Sequence, residues 1–114
     1  MNEHIKTRPL AGTWTIRAAG AVIAETKNAL ELTEGSYPPV IYFPRDDIAM
    51  TFLDAADHTS VCPYKGTASF FTIQTKNGPI DNAAWSYDAP LDAVASITGH
   101  IAFYPGENIA VEEL

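Results

Sequence analysis

The sequence predicts an all-β fold, a single small domain of short antiparallel strands with at most one or two short helical turns. Two observations carry this. About eight short segments alternate apolar and polar residues or run β-branched and aromatic, and turn residues separate them. Only one stretch is spaced like a helical stripe. The chain has 114 residues, of which 46% are hydrophobic, including two tryptophans, five tyrosines and five phenylalanines. That is enough for one core, so residues 1–114 are read as one domain with 1–12 as an N-terminal extension.

Trp14, Ile16 and Ala18 alternate with Thr13, Thr15 and Arg17, the period of a half-buried strand. Ala19-Gly20 then turns the chain into Ala21–Thr26 as an opening hairpin. Leu30 and Leu32 alternate with Ala29, Glu31 and Thr33, the Gly35–Pro39 stretch stops the pattern, and Val40–Phe43 restarts it. Pro44-Arg45-Asp46-Asp47 breaks the sheet, and Asp46 is placed to cap a helical turn carrying Ile48, Met50 and Leu53 on one stripe.

Gly66 to Thr75 is rich in Thr, Ser, Phe and Ile, and Asn77-Gly78 is the strongest two-residue hairpin turn in the chain, since both positions tolerate positive φ. The return strand is Ile80 to Tyr87. A loop of those two residues sets Lys76 against Pro79, Thr72 against Ala83, Phe70 against Trp85 and Ala68 against Tyr87. Extrapolated, it sets Lys65 against Pro90 and gathers Cys62–Gly66 and Tyr87–Pro90 at one end of the sheet. Ile101–Tyr104 and a last strand around Ile109–Val111 complete the pattern.

Seven Lys and Arg stand against fourteen Asp and Glu, a formal charge of -7, and no basic residue follows Lys76. Such a field repels phosphate backbones and anionic lipid, so neither nucleic acid nor membrane is expected as a partner. One cysteine cannot close an intrachain disulfide, and MNEHIKTRPLAG lacks the apolar stretch of a signal peptide. No run is long enough to span a bilayer, and the expected compartment is the cytoplasm.

Five blocks carry a resemblance: Gly20-x-x-Ile-Ala24 before Glu31, Tyr42-Phe-Pro44, Thr59-x-x-CPYKG-x-Ala68, Ala84-Trp-Ser-Tyr87-x-x-Pro90, and Gly99-x-Ile-Ala-Phe-Tyr104. In this order and spacing, from about 14 to 111, the chain resembles the bacterial family called domain of unknown function 427, sometimes labelled a nucleotidyltransferase family. The resemblance implies an all-β fold similar to the Mss4-like tent, two sheets enclosing a groove, and no known reaction. Relatives of that architecture often carry zinc on paired CxxC knuckles or a catalytic cysteine for methionine sulfoxide reduction. Structural zinc needs four ligands, and here Cys62 has only His4, His58 and His100 beside it, so no metal is expected.

The nucleotidyltransferase label finds no support in the residues. Gly35-Ser36 followed by Asp46-Asp47 superficially matches the pattern of metal-dependent enzymes of that kind. Their chemistry needs two carboxylates at i and i+2 on one strand face to hold Mg²⁺, whereas adjacent acids point to opposite sides. Neither GxxxxGK[ST] nor GxGxxG occurs, and no cofactor is called for. A nucleophile elbow with Ser/His/Asp order and paired carboxylates for glycoside cleavage are likewise missing.

The candidate site gathers around His58–Gly66. Pro63 forces Cys62 into an extended conformation, and Lys65 lies close enough in a tight bend to stabilise a thiolate. The competing reading makes Cys62 a small buried hydrophobe at a corner and Lys65 the partner of an acid such as Glu31. Lys65 and Arg45 are natural anchors for a carboxylate or phosphate, and Tyr42, Tyr64, Trp85 and Tyr87 can floor a pocket or simply pack as core. Glu31, on the face opposite the leucines, is the acid or base if that face lines the groove. Cys62, Lys65 and Glu31 are thus the catalytic candidates; Tyr42, Arg45, Tyr64, Trp85 and Tyr87 are the ligand-binding ones. Three functions stay open: binding of a small, possibly anionic molecule, a thiol-dependent enzyme or reductase with Cys62 as nucleophile, and a non-catalytic protein-interaction module.

Overall fold

A computed structural model describes residues 4–114. It holds two antiparallel sheets built from β1 (Ile5–Pro9), β2 (Trp14–Ala18), β3 (Ala21–Thr26), β4 (Leu30–Glu34), β5 (Val40–Pro44), β6 (Leu53–Cys62), β7 (Gly66–Thr75), β8 (Gly78–Ser86), β9 (His100–Phe103) and β10 (Ile109–Glu113). The large sheet has seven strands in the order β1-β4-β5-β9-β8-β7-β6, and the small sheet has three, β10-β2-β3. The all-β expectation is met. Segment 1–12, set aside as an extension, supplies an edge strand of the large sheet, because Ile5–Pro9 pairs antiparallel with Leu30–Glu34.

The two faces of the large sheet are covered differently. On one, Phe43, Ile73, Ala84, Ile101 and Phe103 pack against Ile16, Ala18, Ile23 and Ala24 of the small sheet to form the main core. On the other, Leu32, Tyr42, Ala68, Phe70, Tyr87 and Ala102 form a second cluster that receives nothing from the small sheet. Its roof is the 3-10 segment Asp92–Ile97, whose Val94 and Ile97 are fully buried. Thr7 Oγ1 and Ser96 Oγ, 2.9 Å apart, tie that roof to β1. Adjacent residues such as Tyr42 and Phe43, Phe70 and Phe71, and Ala102 and Phe103 therefore serve opposite faces, as the pleat requires.

The helix expected at Asp46 does not form. Arg45–Asp47 and Met50–Phe52 are separate 3-10 turns, Pro44 holds the position before the first, and no side chain caps it. Ile48 between them is extended and bridges Ala24, and the Ala49 amide donates to the Ile23 carbonyl at 2.8 Å. Capture by the edge of β3 overrides the helical spacing. Leu53 begins β6, a strand the sequence reading did not foresee.

The central hairpin also turns one residue early. Its loop is Lys76-Asn77, with Thr75 opposite Gly78, and Gly78 alone there takes a positive φ, 104°. Near the turn Gln74, not Lys76, faces Pro79. An irregularity between Phe71 and Ile73, where Asn82 adopts φ 52°, then restores the expected pairing of Phe70 with Trp85. The slip is even, so Ile80 near the turn stays on the face of Ala84, while at the irregularity Ala83 joins Ala84 in the main core instead of sharing the face of Trp85. At the far end the Leu91 amide donates to the Lys65 carbonyl at 3.0 Å, which joins the Cys62–Gly66 corner to the segment after Trp85 as expected.

Candidate functional site

The second face of the large sheet carries a cavity of about 190 Å³ beside the 3-10 roof. Alternation brings its lining together from five strands: Leu32 and Glu34 from β4, Val40 and Tyr42 from β5, Ser60 from β6, Ala68 and Phe70 from β7, and Trp85 from β8, with Lys65, Tyr87 and Tyr104 at strand ends. Its aromatic wall is continuous. Trp85 and Tyr104 lie 4.3 Å apart between ring centroids, and Phe70 stacks on Tyr104 at 6.4 Å with the planes 12° apart. A more apolar groove of about 380 Å³ adjoins it, sharing Tyr37, Pro38, Val40, Trp85 and Tyr104.

Its polar end is an ion pair. Lys65 Nζ donates to Glu34 Oε1 at 2.6 Å, with the two side chains 13% and 22% exposed. Burial pulls the Lys65 pKa down, but the hydrogen bond to Glu34 and the fields of Cys62, Tyr87 and Glu34 outweigh it, leaving Lys65 above an ordinary lysine. It is therefore a fixed ammonium at neutral pH and no amine nucleophile.

Trp85 Nε1 donates to the Tyr42 hydroxyl oxygen at 3.3 Å, and the rings meet edge to face. Burial pushes the Tyr42 phenol well above the usual tyrosine range, offset only in part by that hydrogen bond. Tyr87 is also raised by burial, with the nearby Lys65 charge pulling the other way. Both phenols are consequently donors in the physiological range.

Of the residues the sequence singled out, Tyr42, Lys65, Trp85 and Tyr87 line this cavity. The others fall elsewhere. Glu31 projects from the opposite face of β4 and accepts from Arg8 Nε at 2.7 Å, so the acid that meets Lys65 is Glu34. Arg45 also lies on that opposite face, over the Phe71 ring at 5.4 Å, with Ser86 and Asp88 each 3.3 Å from Nη2. Cys62 is half-buried against the second cluster and is not part of the lining. Tyr64 is exposed and meets His4 edge to face at 4.8 Å. The cavity of Lys65 and Trp85 lies on the outer face of the large sheet, while the adjoining groove reaches Ile41, Phe103 and, in the small sheet, Val111, at the rim of the main core.

Glu34 was missed, although alternation from Leu30 and Leu32 places it on the leucine face. Tyr104 was missed too, since an aromatic at a strand end carries no signal of its own. The three histidines are dispersed: His4 Nε2 is 3.8 Å from Glu34, His58 packs on Phe70 and His100 Nδ1 is 2.9 Å from the Thr98 carbonyl. Among the described residues no group of three His, Cys, Asp or Glu could hold a metal ion. Asp47 accepts from Thr26 Oγ1 at 2.7 Å, on the small-sheet side.

A family model described as a domain of unknown function (DUF427), also labelled NTP_transf_9, matches residues 6–113. The chain belongs to this family. The match begins within β1, so the first strand is part of the DUF427 domain. No curated protein matches the chain. No helix among the described residues is long and apolar enough to cross a membrane.

Proposed function

We propose that this DUF427 chain binds a small planar molecule in the cavity over the second face of the large sheet, with the polar group of the ligand at Lys65 and its ring against Trp85. One observation carries the reading: a fixed ammonium and two phenolic donors converge with three aromatic rings on a single concavity. Binding sites typically combine an apolar wall with a few convergent polar groups in this way. The volume suits one ring system, since a cavity of about 150 Å³ accommodates benzene.

The test is a panel of small aromatic probes, benzamide, benzoate, benzamidine and toluene, read by tryptophan fluorescence in a Trp14→Phe background that leaves Trp85 as the reporter. At least one polar probe should quench Trp85 saturably, and Lys65→Met should weaken that probe at least tenfold in protein that still unfolds cooperatively in urea, at a midpoint lowered by the loss of the Glu34 partner. Failure of every probe to bind would remove the reading.

A further inference from the structure

The polar end of the cavity is electrically complete before any ligand arrives. Lys65 Nζ sits 2.6 Å from Glu34 Oε1, and the pair is largely withdrawn from solvent. An incoming anion would bring a second negative charge beside Glu34, and a cation a second positive charge beside Lys65. Like charges brought together at a poorly solvated site are unfavourable.

The hydrogen-bonding capacity that remains is uneven. Tyr42 Oη already accepts from Trp85, which leaves its proton to donate. No group among the described residues hydrogen-bonds the Tyr87 hydroxyl, and the ammonium has protons to spare beyond the one Glu34 takes. Against these donors the lining sets one charged acceptor, Glu34, beside the Ser60 hydroxyl, which can serve either way. The matching ligand surface is a neutral edge that offers an acceptor oxygen with a donor next to it, on a flat body that lies against the wall of Phe70, Trp85 and Tyr104.

On the small-molecule reading above, we infer that the ligand is an uncharged planar ring with a carboxamide-like edge, its carbonyl oxygen directed at Lys65 and its N–H at Glu34. The class includes aromatic carboxamides, lactams and heterocycles that carry a C(=O)–N–H unit. Selection rests on the Glu34 charge: it accepts the ligand N–H and repels a carboxylate of the same shape.

Benzamide and benzoate differ in little else, so their comparison isolates this feature. Titration calorimetry on the unmodified chain at pH 7.5 should show benzamide at least tenfold tighter than benzoate. Glu34→Gln should reverse the order by freeing the Lys65 charge, while Glu31→Gln, which alters a carboxylate on the other face, should leave the ratio unchanged. Benzoate binding as tightly as benzamide to the unmodified chain overturns the inference and leaves the small-molecule reading standing. If none of the four probes binds, both fall. The comparison on the unmodified chain decides the matter even if Glu34→Gln fails to fold.

Discussion

The two faces of the large sheet are made from alternate residues of the same strands, yet one is sealed and the other left partly open. On the sealed face the aromatic side chains are Phe43, Phe71 and Phe103, with no polar atom, and Phe43 meets Phe103 edge to face at 5.9 Å. On the open face Tyr42, Trp85, Tyr87 and Tyr104 each carry one, and Phe70 is the exception. Aromatics with a polar handle belong where one end needs a partner. Chemical type thus separates the core from the cavity lining even where burial does not: Phe43 is 0% exposed and Tyr42 only 1%.

Mutation should break this symmetry most strongly at Phe43. Phe43→Ala leaves a void in a core closed on both sides and should lower stability by about 3–5 kcal/mol in urea denaturation. Trp85→Ala removes a larger side chain from the open face, where the surroundings are already half-solvated, and should cost about 1–2 kcal/mol while abolishing probe binding. Equal losses at the two positions would end the distinction between the faces.

A smaller effect is expected at the ion pair. Glu34→Gln strips a mostly buried ammonium of its charged partner and should destabilise by about 1–3 kcal/mol, part of which Lys65→Met in the same chain should recover. A double-mutant cycle on urea midpoints measures the coupling, and strictly additive losses would show that the two residues do not interact.

Alkaline pH sharpens the comparison without mutation. Tyr42, Tyr87 and Lys65 all bind their protons more tightly folded than unfolded. Their contribution is therefore complete below the unfolded values of about 10 and is lost as pH rises above them. Urea midpoints should hold from pH 7 to 9 and decline beyond pH 10, less steeply in Tyr42→Phe. An unchanged slope in that variant would remove Tyr42 from the cause.

The least effect belongs to Arg8 and Glu31. Arg8 is 69% exposed, so Arg8→Ala should change stability by no more than about 0.5 kcal/mol and leave probe affinity unaltered. A larger loss would give the closed-face side of β4 a role the geometry does not assign it.

What the sequence made legible follows from how local the information was. The hairpin carrying Phe70 and Trp85 was readable because alternation and a strong turn signal sit side by side, and the slip near the turn is made up before Phe70 meets Trp85. Strand β6 was not, because an outer strand with most side chains in solvent has no apolar alternation to display, and Asp54, Asp57 and His58 resemble a loop. Arg45 and Lys65 looked equivalent as cations near converging strand ends. Only the fold separates them, because the 3-10 turn after β5 sends Arg45 to the Phe71 side and the corner after Cys62 turns Lys65 onto the cavity. Glu31 is a candidate only if the face opposite the leucines lines the groove, whereas the cavity lies on the leucine face, where strand parity from Leu30 and Leu32 places Glu34.

Gly66 has φ 114°, and a Cβ built there would stand 3.4 Å from the Ala89 carbonyl oxygen. The bend that delivers the ammonium therefore favours a residue with no side chain, because the left-handed backbone, more than the space beside Ala89, would strain any other amino acid. The position of the Lys65 charge is thus tied to one torsion angle in a residue that touches nothing in the cavity, one residue from the backbone bond that holds Lys65 to Leu91.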